Sequence, residues 1–125
     1  MSGWTSDELE QIGDVDELQL ASARSDSTLR KPVTIWVVRL GDEVYVRSVY
    51  GRTSHWFRGI EDRHEGHIRA GGVEKDVTFV EETDPDLNDQ IDAAYRTKYR
   101  RYAASISSSI VSPAARAATI KLMPC

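Results

Sequence analysis

Apolar and polar positions along this chain follow two different periods. From Thr34 to Leu40 the residues are apolar on both faces, and Glu43 to Tyr50 alternates, with Val44, Val46 and Ser48 opposite Tyr45, Arg47 and Val49. Successive strand side chains point to opposite faces, so this predicts a strand covered on both sides followed by a returning partner. Gly41-Asp42 between them suits a tight hairpin, because glycine accepts the positive φ needed at the first turn position. Gly66–Ala70 and Val73–Glu82 repeat the arrangement across Gly71-Gly72. Glu17 to Arg24 also alternates, and Ala117 to Met123 reads as a last strand.

A period of three and four residues governs the rest. Residues 1–16 carry an N-terminal helix: Thr5 and Glu8 have capping-box spacing, Leu9 and Ile12 form a short apolar stripe, and Gly13 is expected to end it. His55 to Glu65 predicts a short helix with Trp56, Ile60 and Arg63 or His64 on one side. A long helix is predicted over residues 84–111. Asp84 can cap it and Pro85 suits its first position, while Leu87, Ile91, Tyr95, Tyr99, Tyr102 and Ile106 make its apolar stripe. Its early aspartates and late arginines complement the helix dipole. Ser107 to Ser109 weaken this helix, and Pro113 stops it. The expected architecture is mainly β (α+β): one six-stranded antiparallel split β-barrel over residues 1–125, with barrel strands in 17–82, a last strand at 117–123 and flanking helices.

Composition narrows the function. The 125 residues carry a net charge of −4, with no apolar run of membrane-spanning length and no basic, apolar leader at the N-terminus. A single cysteine, Cys125, excludes an internal disulfide and points to the cytoplasm. Residues 1–29 hold seven acidic groups against one arginine, and residues 30–79 hold nine Lys/Arg against seven Asp/Glu. A mildly basic middle in an acidic chain suits a small anionic ligand rather than a nucleic-acid backbone. No membrane partner is expected.

The chemistry-bearing residues cluster after the first hairpin. Arg47 and Arg52 carry fork-shaped guanidinium groups that can each give two parallel hydrogen bonds to a phosphate or carboxylate, and Ser48 adds a neutral donor. Otherwise these arginines pair with Glu43, Glu61 or Asp62. Trp36, Trp56 and Phe57 can stack on a planar ring or fill the core. His55, His64 and His67 are weak candidates for proton transfer. His64-Glu65-Gly66-His67 lacks the spacing that sets two histidines one helical turn apart around a glutamate, so no metal is expected. No nucleophile elbow, Gly-x-Gly-x-x-Gly loop or Walker loop occurs. The tyrosine stripe is expected to be a helix-to-barrel seam.

Trp36-Val37-Val38-Arg39, Val44-Tyr45-Val46-Arg47-Ser48, Gly51-Arg52, Trp56 and Arg69-Ala70-Gly71-Gly72-Val73 together resemble a small bacterial family of unknown function within the FMN-binding split-barrel superfamily. The likeness runs from about residue 4 to 122. It implies a flavin or deazaflavin held between barrel strands, often at a dimer interface, with its phosphate near the end of the hairpin. It therefore implies Arg47, Ser48, Arg52, Ser54 and Trp56 as cofactor-binding residues. Lys98-Tyr99 resembles the Lys-Tyr pair of deazaflavin-dependent members. The superfamily also holds proteins that bind heme or no cofactor. The expected function is a flavin- or deazaflavin-dependent oxidoreductase. The alternatives are a cofactor-free pocket for a small anionic or aromatic metabolite, acting as an isomerase or cyclase, and a non-catalytic partner-binding barrel. A homodimer is expected, because an open six-stranded barrel leaves apolar edges on which Tyr45, Tyr50 and Trp56 can bury.

Overall fold

Both glycine turns close hairpins. A computed structural model describes residues 3–102 and 108–124. It places β2 (Val33–Leu40) against β3 (Glu43–Arg47) and β4 (Glu65–Ala70) against β5 (Val73–Glu81), each pair antiparallel. Gly71 and Gly72 turn the second hairpin at φ 56° and 93°, values that a side chain would strain. β1 (Glu17–Ser22) pairs with both β2 and β4, and β6 (Thr119–Pro124) pairs with β3 and β5. The result is a closed barrel in the order β1-β2-β3-β6-β5-β4.

Closure corrects the expectation of an open barrel: every named strand has neighbours on both sides, which removes sheet edges as a reason to dimerise. Tyr45 is also withdrawn from any such surface, since it is 2% exposed beneath the long helix.

Alternation along the strands sorts the side chains into two cores. Leu18, Leu20, Val37, Val44, Val46, Ile68, Val77, Phe79, Ile120 and Leu122 fill the barrel, joined by Leu9 and Ile12 of α1 (Ser6–Asp14) and Phe57 and Ile60 of α2 (His55–Arg63). Val38 and Tyr45 point the other way. They pack under Ile91, Tyr95 and Tyr99, along and just beyond α3 (Pro85–Lys98). β2 is thus covered on both faces at its centre, as its unbroken apolar run predicts, and the tyrosine stripe is the helix-to-barrel seam.

The helices depart from expectation in several details. The Thr5–Glu8 capping box forms, but α1 continues through Gly13 to Asp14. In α2 Ile60 faces inward as expected and Trp56 packs half-buried on the same core, but Phe57 and Gly59 are buried with Ile60, and His64 is exposed. α3 starts on Asp84 and Pro85 as expected and ends at Lys98; residues 103–107 of the expected 84–111 helix, including Ile106, lie outside the described residues, as does Cys125. Ser108 and Ser109 are helical and that segment ends before Pro113, which itself starts a helix, α4 (Pro113–Arg116), at the first-turn position where its missing N–H costs nothing.

Candidate functional site

The chain leaves β3 at Arg47 and crosses a short 3-10 turn, Gly51–Thr53, before entering α2. This crossing and the first half of β2 enclose a cavity of 380 Å³. Val33, Ile35 and Trp36 supply one wall, Val49, Tyr50, Ser54 and Trp56 another, and Ser109 and Ile110 close it near Arg47. Its surface is mostly apolar, with a few polar groups at the rim, the ordinary make-up of a small-molecule site.

Trp36 is held in place from behind. Its indole stacks on Tyr99 with centroids 3.9 Å apart and planes 5° from parallel, and Tyr102 packs at 5.1 Å. Trp56 is half-buried against the barrel core and meets Phe57 edge-on at 6.2 Å. The cavity therefore has two aromatic walls, one of them rigidly backed.

Its one guanidinium is already fully engaged. Arg47 is 1% exposed, and its five N–H groups donate to Thr119 Oγ1 (2.9 Å), the Asp92 carboxylate, the Ile110 carbonyl (3.2 Å), and the Asn88 carbonyl and Oδ1 (3.1 and 2.9 Å). Asp92 also accepts from Arg116. The buried charge is thus paired and hydrogen-bonded at every donor, which is what its burial demands. Arg52 lies on the surface. It bridges Glu61 and Glu81, donates to the Ala117 carbonyl and covers the Phe57 ring at 5.0 Å. Those two carboxylates hold its pKa above the usual arginine value.

Ser48 and Ser54 come together, with their hydroxyls 2.8 Å apart. This bond has a consequence for α2. Ser54 sits at its N-cap, yet its side chain makes no capping bond to the helix. The first turn of α2 therefore meets the cavity without a side-chain acceptor, and a helix start of that kind favours anions.

The three histidines do not converge on this cavity. His55 and His64 are exposed at the two ends of α2. His67, on β4, sets its two ring nitrogens against Asp76 (2.8 Å) and Glu74 (3.0 Å). Those hydrogen bonds, Asp76 first, raise its pKa above the ordinary histidine value.

Sequence reasoning missed Asn88, Asp92 and Thr119, which claim Arg47, and Tyr50 and Ile110, which line the cavity. The capped start of α3 was the one local signal, since it fixes which turn of the helix reaches the barrel. Lys98, paired with Tyr99 in the sequence, is not among the cavity's walls.

Solved structures share this fold. The conserved hypothetical protein Rv2991 from Mycobacterium tuberculosis superposes with a TM-score of 0.68 at 8% identity, over 98% of this chain and 80% of that one. An F420 reductase gives 0.60 at 14% identity, over 93% and 91% of the two chains. HutZ, the heme storage protein from Vibrio cholerae, gives 0.64 at 15% identity, over 95% and 87%. No curated protein matches this chain in sequence. These structures share the closed six-stranded barrel with its flanking helices, and residues 8–122 match one bacterial family throughout. This chain belongs to the family described as "Uncharacterized protein conserved in bacteria (DUF2255)".

Proposed function

We propose that this protein binds a flavin- or deazaflavin-type cofactor in the cavity between β2 and the crossing after β3, and acts through it as an oxidoreductase. One observation carries the reading: Trp36 and Trp56 face one apolar cavity, and Trp36 is backed flat by Tyr99. The fold neighbours include a reductase named for F420 and a heme storage protein, so this barrel serves planar groups elsewhere. The residues fit such a group in two parts. Trp36, Ile35, Ile110 and Trp56 suit its ring system, and the start of α2 with Ser54 suits its phosphate. Arg47 belongs to the wall, because its donors are spent; Arg52 and Ser48 act from behind the rim. When bound, the cofactor supplies the hydride chemistry, and the protein supplies position and exclusion of water.

A second reading also has an observation in its favour. Since Arg47 is saturated and Arg52 is bridged twice, neither cation stands open to a phosphate. That favours an uncharged aromatic metabolite bound without a cofactor. Titration with FMN, a deazaflavin and heme, followed by visible absorption and tryptophan fluorescence, separates the two. The cofactor reading expects saturable binding that weakens about tenfold or more in both Trp36→Ala and Trp56→Ala. Absence of binding by every one of these leaves the cofactor-free pocket.

We also propose that the protein is a cytoplasmic homodimer, with Tyr50, 83% exposed, and Val49, 40% exposed, buried by the partner beside the cavity mouth. No helix among the described residues is long and apolar enough to cross a membrane. Sedimentation showing only the 14.0 kDa species at micromolar concentration would reject the dimer.

A further inference from the structure

A second concavity shares no wall with the aromatic cavity. It is an open groove of 660 Å³ outside the barrel, between α1, β2 and α3. Val38 and Leu40 of β2 and Ala93 and Ala94 of α3 make it largely apolar, and Lys98 lies along it. The Lys98 amine donates to the Val37 carbonyl at 2.7 Å and stands 5.4 Å from the centre of the Tyr99 ring. No carboxylate among the described residues forms an ion pair with it; Glu10 and Asp14 of α1 and Arg39 of β2 are the other charged groups along the groove. The ammonium is thus half-buried on apolar and aromatic surface with a single neutral acceptor. Burial pulls its pKa down to about 8, and the field of Asp14 only partly opposes this.

Most lysines are protonated and hydrated near neutral pH, and so are poor nucleophiles. A lysine desolvated beside a hydrophobic surface keeps a useful fraction of free amine. We propose that Lys98 is a nucleophilic amine that forms an imine with a small, uncharged aliphatic aldehyde held in this groove. The apolar floor suits a short hydrocarbon tail, and the carboxylates of Glu10 and Asp14 disfavour an anionic one. The neutral Nζ adds to the carbonyl carbon, giving a carbinolamine once a proton moves from nitrogen to oxygen. The hydroxyl then leaves as water, taking up a proton as the nitrogen loses its second, and C=N closes. No redox change occurs. Glu10 and Asp14 are the acids and bases at hand for these transfers.

Reductive trapping tests this on the full chain. Butanal and sodium cyanoborohydride, near pH 8, convert any imine to a stable secondary amine by hydride addition, and peptide mass mapping locates it. Lys98 is expected to be alkylated about tenfold faster than Lys31 or Lys121. The Lys98 rate should also saturate with butanal concentration, as binding requires. Ala93→Leu narrows the groove from an exposed helical position and should bring Lys98 down to the rate of the other lysines. Lys98→Arg, checked for folding by thermal denaturation, should remove the fast adduct. Labelling of Lys98 no faster than Lys31, a rate linear in butanal, or an unchanged rate in folded Ala93→Leu each overturns the proposal. None of these readouts depends on a flavin.

Discussion

The Trp36 indole lies flat on the Tyr99 ring, 3.9 Å between centroids, and the same tyrosine completes the strand that carries Trp36. β1 begins at Glu17, opposite Trp36, so it stops short of pairing Val37. Tyr99 Oη accepts the Val37 N–H at 3.0 Å and lies 2.8 Å from the Val37 carbonyl and 2.6 Å from that of Asp16. Lys98 adds a second donor to the Val37 carbonyl. Both polar groups of one strand residue point to the same side, so two side chains at the end of α3 stand where a longer β1 would have been. The wall of the cavity and the seating of the helix are therefore one construction.

Removing that hydroxyl should be costly although the ring remains. Tyr99→Phe leaves a buried N–H unpaired and is expected to lose about 1–3 kcal/mol in urea denaturation. Tyr95 provides the contrast. Its buried hydroxyl lies near the Arg47 backbone N–H without a well-formed hydrogen bond, so Tyr95→Phe should cost much less. Equal losses in the two variants would show that the Val37 bonds do not carry the effect.

The two arginines after the first hairpin should behave oppositely. Arg47→Ala leaves Asp92 with Arg116 alone, takes the donor from Asn88 and the Ile110 carbonyl, opens a buried cavity, and is expected to destabilise the fold by about 3–5 kcal/mol. Arg52 is about half exposed and its ion pairs are screened by solvent, so Arg52→Ala should cost no more than about 1 kcal/mol. Chemical denaturation of both variants decides it. A well-folded, fully stable Arg47→Ala would contradict a structural role for the buried pair.

Ser54→Asp tests the start of α2. A carboxylate there can cap the helix, so stability should hold or rise. It should also repel a phosphate, weakening FMN about tenfold while sparing riboflavin, which has the same ring and no phosphate. Equal losses for both ligands would mean that α2 does not face the phosphate.

His67 should make stability depend on pH. Its folded pKa is raised by Asp76 and Glu74, so the protonated form favours the fold. Its contribution is complete below about 6.5, the unfolded value, and fades as pH climbs through the higher folded value. Thermal midpoints should therefore fall over that window in the natural protein. His67→Gln should flatten the fall, and an identical profile in that variant would assign it to another group.

Local rules made much of this molecule legible. The capping box at Thr5 and Glu8, the Asp84-Pro85 start of α3, the glycine turns, the alternation of β1 and β3 and the apolar run of β2 are short-range codes, set by residues within a few positions of one another. Val37 inward and Val38 outward follow from the pleat alone. Where local rules failed, the missing neighbour was distant. Gly13 stays helical where α1 lies against the Arg39 side chain of β2, and the turn that Pro113 opens sets Ala114 against the crossing at Gly51.

The candidate site shows the same division more sharply. Its raw material, Arg47, Ser48, Arg52, Ser54 and Trp56, was visible as a cluster of donors and an aromatic within ten residues. Their roles came from residues far along the chain. Asp92 lies 45 positions from Arg47, Thr119 lies 72, and Tyr99 lies 62 from the Val37 amide it completes. No period or turn code reports such pairings, because they arise when barrel closure and helix docking bring separate segments together. Residue order was enough to specify strands, caps and the donors available. Whether a guanidinium faces a ligand or a buried carboxylate depended on how those elements packed, since a buried charge takes whichever partner the surrounding fold delivers.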